Sequence, residues 1–197
     1  THNTREAIFD AMLRKEVYAT TGSRIRVRFF AGWDFDEAAL QDSQWTQKGY
    51  AQGVPMGGQL PATQDTDLAP AFMIKAQKDP NAAHLDRIQI IKGWLDDDGN
   101  SQEQVYDVVA SGARTRNPVT GLFEPIKDTT DLKTATYSNT EGSPNLEGVW
   151  RDPNFDGQQA AFYYVRVLEI PTPRWTSFDA VRFKEKRADG DTGKLQE

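Results

Sequence analysis

The chain contains no cysteine among its 197 residues, which excludes a disulfide framework, a thiolate zinc site and a cysteine nucleophile. Histidine is almost as scarce: His2 and His84 are the only two, too few for a histidine-rich metal centre or a histidine-based proton relay. No run approaches the ~20 apolar residues that a membrane span requires. Basic charge is also in deficit, with 23 Lys+Arg against 29 Asp+Glu and a net charge of −6, so a general affinity for nucleic acid is not expected. An initiating methionine and an apolar leader are missing as well. The chain opens Thr1-His2-Asn3-Thr4 and passes almost at once into a helix signal, and so reads like a piece of something larger. What is present is 38% hydrophobic and 11% aromatic residues, enough for one core.

Asn3 and Glu6 have capping-box spacing, and Ala7, Ile8, Ala11 and Met12 form an apolar stripe widened by Phe9 and Leu13. These predict a helix over 4–16, a length that is marginal alone and needs a partner surface. Residues 17–21 are short and β-prone. Arg24 to Phe30 alternates strictly, with Ile25, Val27 and Phe29 directed to a core and Arg24, Arg26 and Arg28 opposite. Three arginines on one strand face suit either an anion or acidic neighbours on a solvated face. Residues 32–69 read as irregular, with a helical turn at 36–40 and a turn-rich loop, Val54-Pro55-Met56-Gly57-Gly58, that lacks the pattern of a phosphate loop. Strands are predicted at 70–76, 85–95, 104–110 and 159–170, the last apolar on both parities in its first half. The acidic run Asp96-Asp97-Asp98 is a hairpin turn and not a calcium loop. Residues 111–157 are loop-rich apart from a short strand at 135–137, and 174–180 form a turn or short helix. The sum is a mainly β chain with a minor α component: an antiparallel β-sandwich with an N-terminal helix and long loops. Residues 1–22 are a helix and lead-in strand from the end of an upstream domain, 23–183 the sandwich, and 184–197 a flexible tail.

Three blocks carry a family resemblance: Asn3 to Gly22, Val54 to Gly58, and Phe162 to Trp175, with Asp86 to Trp94 fitting as well. Together they resemble the C-terminal portion of a bacterial family called domain of unknown function 3604, over about residues 3–180. The resemblance implies a larger, exported parent, periplasmic or extracellular, whose N-terminal part is similar to the polymerase-and-histidinol-phosphatase type of metal-dependent hydrolase. Metal ions that activate water would lie in that missing N-terminal catalytic domain, the implied partner of this chain. Here no His-x-His occurs, so no catalytic or metal-ligating residue is carried over, and the divalent metal is implied only upstream. His2 reads as linker or as the end of an upstream metal motif, and His84 as a surface residue.

Three functions follow. The first is an accessory β domain, structural and inactive alone, whose loops at Met56, Gly57, Gly58 and at Arg174, Trp175 border the upstream active site. Arg174 suits carboxylate or phosphate and Trp175 suits stacking on a ring, unless Trp175 is core and Arg174 its ion-paired cover. The second is a carbohydrate- or envelope-binding module, whose mark would be coplanar exposed aromatics among Trp33, Trp45, Trp94, Trp150 and Trp175. The third is a carboxylate-only hydrolase, for which sequence pairs no two acids in space.

Overall fold

A computed structural model describes residues 2–63, 65, 68–186 and 192–195. Two antiparallel sheets face each other, in agreement with the expected sandwich. The first has the order β2-β1-β3-β6, formed by β1 (Arg26–Gly32), β2 (Val54–Pro55), β3 (Ala71–Gln77) and β6 (Asn145–Arg151). The second has the order β5-β4-β7, formed by β4 (Leu85–Leu95), β5 (Ser101–Ala110) and β7 (Ala161–Glu169). Between them lies the main core, where Phe29, Phe72, Ile74 and Leu146 of the first sheet meet Ile88 and Ile90 of the second. Gly148 stands on the core side of β6, where a Cβ would lie 2.7 Å from the Val109 side chain, so glycine lets the two sheets approach.

The other face of the first sheet is divided. Its apolar end carries Phe30, Ala71, Met73 and Val149, covered by α2 (Glu37–Gln41) and α3 (Trp45–Gln52) to make a second core with Phe35, Leu40 and Trp45. Its polar end carries Arg26, Arg28, Lys75, Gln77, Asn145 and Glu147 in adjacent register. The alternation of β1 therefore holds for Val27 and Phe29, while Phe30 is buried on the opposite side because α3 closes over it.

Several expected elements differ. The first helix, α1 (Arg5–Leu13), is capped by Thr4, whose Oγ1 accepts from Ala7 N at 3.2 Å; the cap is not Asn3. Its end is a Schellman motif: Lys15 N donates to Met12 O and Glu16 N to Ala11 O, with Lys15 at φ 57°. Residues 17–21 form no strand, and the edge of β1 at Val27 is met by a side chain, the Tyr18 hydroxyl accepting from Val27 N at 3.4 Å. Tyr18 ties this segment down instead, its hydroxyl donating to Ile25 O at 3.2 Å. The helix α3 and the strand β6 arise in stretches read as irregular. Around 135–137 there is only an isolated bridge, Asp131 to Thr136. On β7 the burial alternates in the first half, with Phe162 and Tyr164 outward, and is not two-sided. At the C-terminal end α4 (Trp175–Phe183) follows β8 (Thr172–Pro173), which pairs with β9 (Lys194–Leu195); residues 187–191 and 196–197 of the expected tail lie outside the described ones.

Candidate functional site

Two surface cavities flank β1. The first, about 1000 Å³, lies between α1 and the polar end of the first sheet. Its floor is a set of fixed ion pairs. Lys75 Nζ reaches Glu147 Oε2 at 2.9 Å and stands 5.0 Å from the Trp45 ring centre. The Lys75 ammonium, with the Gln41 amide, holds the Glu147 carboxyl below its usual range. Arg28 donates to the Tyr50 hydroxyl at 3.0 Å and lies 3.7 Å from Glu16 Oε1, which also receives the Tyr50 hydroxyl hydrogen. Partial burial, and then the Glu16 carboxylate, raise the Tyr50 phenol above its ordinary value, so it stays protonated at neutral pH. Tyr50 and Trp45 both meet the Phe30 ring edge-on, at 5.0 and 5.9 Å between centres. The cleft thus offers guanidinium and ammonium groups, hydroxyl and carboxylate acceptors and an aromatic wall: features that bind a polar molecule.

The second cavity, about 840 Å³, is a groove along the seam of the sandwich, between the β1–β2 edge and β7. Val54, Met56, Leu60, Phe72 and Phe155 give it an apolar wall, and among the described residues Lys15 is the one charged residue on it. Met56, Gly57 and Gly58 all border this groove, and Met56 borders the first cleft too. Gly57 has φ +83° and lies so close to the end of α1 that a Cβ would meet Lys15 O at 2.3 Å. Glycine is needed here on both counts. Arg174 and Trp175 lie elsewhere: Arg174 caps α4, its backbone N–H donating to Gly193 O at 2.9 Å, and Trp175 is 68% exposed rather than core. Neither borders either cavity. The structure joins the Met56–Gly58 loop to β7 and does not bring it to Arg174 and Trp175.

Three buried aspartates are held by internal partners. Asp86, wholly buried, is held by Arg87 and by Arg114 at 2.5 Å. Asp107 accepts from Gln89 Nε2 at 2.7 Å and from Phe123 N at 2.7 Å, stapling the loop after β5 onto the second sheet. Asp152 accepts from Lys92 Nζ at 2.8 Å and from the Tyr163 hydroxyl at 2.7 Å. Burial and this carboxylate push the Tyr163 phenol far above its usual range. His84 is half-buried, its Nδ1 3.0 Å from Glu141 O. Among the described residues no three His, Cys, Asp or Glu side chains are grouped so as to hold a metal ion, and no helix is long and apolar enough to cross a membrane.

Sequence reasoning had noted Arg28 but missed Glu16, Tyr50, Lys75 and Glu147. Tyr50 is placed by α3, whose signal is weak: Trp45 and Gly49 at helical spacing. Gly49 is where the helix crosses Phe30, a Cβ there meeting the ring at 2.7 Å.

Fold and surface together define an antiparallel β-sandwich with a projecting N-terminal helix, a polar cleft and an apolar seam. Across residues 1–197 the chain matches, and belongs to, the family described as a protein of unknown function, DUF3604. No curated protein and no solved structure matches it.

Proposed function

We propose that this chain is an accessory β domain of a larger exported protein, the C-terminal portion of a parent similar to metal-dependent hydrolases of the polymerase-and-histidinol-phosphatase type, and that it is not catalytic alone. The observation that supports this is α1. None of its residues is buried, and Ile8, Phe9, Met12 and Leu13 each stand more than half exposed. A nine-residue helix with an uncovered apolar face is marginal in water and marks a docking surface. The hydrolase-like part of the parent is the partner in this reading, and the divalent metal belongs to that part. The test compares the parent with a Phe9→Asp, Met12→Asp variant, and assays the 197-residue chain alone for metal-dependent phosphoesterase and amidase turnover. The variant should separate the two parts in limited proteolysis while the sandwich keeps its near-ultraviolet circular dichroism. Turnover by the chain alone sinks the proposal.

A second reading, a carbohydrate- or envelope-binding module, draws on the first cleft, where Trp45, Tyr50, Arg28 and Lys75 converge. It does not rest on a platform of tryptophans: Trp33, Trp45, Trp94 and Trp150 are half-buried and Trp175 stands apart. Glycan-array binding that is lost in Trp45→Ala would favour it.

A further inference from the structure

The two sheets have four outer strands, and three of them are protected against pairing with another chain. On one edge β2 is two residues long and ends in Pro55, which has no N–H to donate. On another, β6 is flanked by α2, and Glu37 Oε1 accepts from its Val149 N at 3.2 Å. Along β5, Gln102, Glu103 and Gln104 are exposed, charged or polar positions of the kind that blunt an edge.

The fourth, β7, has no proline, no covering helix and only one exposed charge. It is nine residues long and bonded to β4 on one side, and among the described residues Ala161 to Leu168 make no backbone bond on the other. Arg166 is its single charge before Glu169, and it holds neither proline nor glycine. Its register against β4 runs unbroken from Ala161 to Leu168, so no bulge turns the edge away. Phe162 lies across Gly93 of β4, stacked on Tyr164 with ring centres 6.4 Å apart, and these rings stay 62% and 38% exposed. The apolar seam runs directly beside this edge, with one charged residue on its wall among the described residues, in a chain that is 26% charged.

An open ladder edge lying over an apolar trough is the arrangement used for strand addition. The edge supplies main-chain hydrogen bonds and the trough receives alternate side chains. We propose that β7 and the seam form a docking site for an extended, uncharged segment of another polypeptide with apolar residues at alternate positions. A second copy of this chain fits less well. Tyr163, Val165 and Val167, which its own β7 would present on the core side, are already packed in their own core. The site is separate from the exposed face of α1, so it stands or falls apart from the accessory-domain reading.

The probe is a capped octapeptide alternating isoleucine and threonine, added to the 197-residue chain. Controls are the same peptide N-methylated at alternate amides and one with lysine for isoleucine. The peptide should slow exchange of the β7 amides that point away from β4 by about tenfold or more. Both controls should leave exchange unchanged. Phe162→Lys, a change at an exposed side chain, should weaken the peptide by about tenfold, as should Leu60→Glu in the trough wall. Loss through both variants, with circular dichroism unchanged, supports the site. Absence of protection at millimolar peptide overturns the proposal. So does equal binding of the N-methylated peptide, or protection of the β7 amides in the free chain that rises with protein concentration, the mark of a second copy.

Discussion

Lys92 stands two residues beyond Ile90 on β4, where the strand alternation asks for an apolar side chain, and it is only 3% exposed. Its ammonium donates there to Asp152 at 2.8 Å and to Asn154 O at 2.7 Å, and the Tyr163 hydroxyl fills another acceptor site of the same carboxylate. Removing one partner leaves the other charge buried without compensation. Asp152→Ala should therefore cost about 3–5 kcal/mol in chemical denaturation. Adding Lys92→Met to that variant should return part of the loss, since no charge then remains inside. A double variant as unstable as the sum of the singles would show that the pair is not coupled. Nothing in the sequence marks this triad, because its members are 60 and 11 positions apart and meet only when the end of β6 in the first sheet packs against β4 and β7 in the second. The Met56–Gly58 loop was legible for a local reason: proline and paired glycines announce a turn, and Gly57 occupies a conformation that other residues adopt only with strain.

Among the elements, β4 is the one that sequence locates without error, at Leu85–Leu95, because its isoleucines give a long β-prone run ended by an acidic turn. The strand β6 escapes the same reading because Gly148 interrupts its alternation; that glycine answers to Val109 of the facing sheet, a long-range fact. The helix α3 is hidden likewise by Gly49, which answers to Phe30. Where these elements meet, Glu147 of β6 lies across from Lys75 of β3. Its folded value lies below the ordinary 4.5, through the Lys75 ammonium and then the Gln41 amide. A depressed carboxylate contributes stability that is complete above the unfolded value and disappears as pH falls through the folded one. The wild-type chain should lose this contribution as it is acidified below about 4.5. In Lys75→Met the stability difference from wild type should shrink over that range, measured by urea denaturation at a series of pH values. A difference that stays constant down to pH 2 would mean that the ion pair is not thermodynamically linked to folding.

For the molecule as a whole, the decisive feature is that one sheet serves two cores from opposite faces. On β1, neighbouring residues point into different cores: Phe29 into the one between the sheets, Phe30 into the one beneath α2 and α3. On β3, Phe72 and Ile74 alternate with Ala71 and Met73 in the same way. Sequence alternation predicts the first core and cannot predict the second, since an apolar residue on the solvent parity looks like an accident until the helices that cover it are found. It follows that the small helical layer is not an independent unit. Leu40, the fully buried residue of α2, and Ile90, fully buried between the sheets, should each cost about 2–5 kcal/mol when cut to alanine. Because β1 and β3 transmit both losses, each variant should lower the midpoint of one shared transition, followed together by tryptophan fluorescence and far-ultraviolet circular dichroism. If instead Leu40→Ala produced an early, separate phase while the sheet signal held its wild-type midpoint, the two cores would be uncoupled, and the polar cleft bounded by Trp45 and Tyr50 would rest on a layer able to open by itself. Coincident transitions would place that cleft on the most stable part of the chain, with its Arg28 and Lys75 floor fixed by the same two strands that hold the sandwich together.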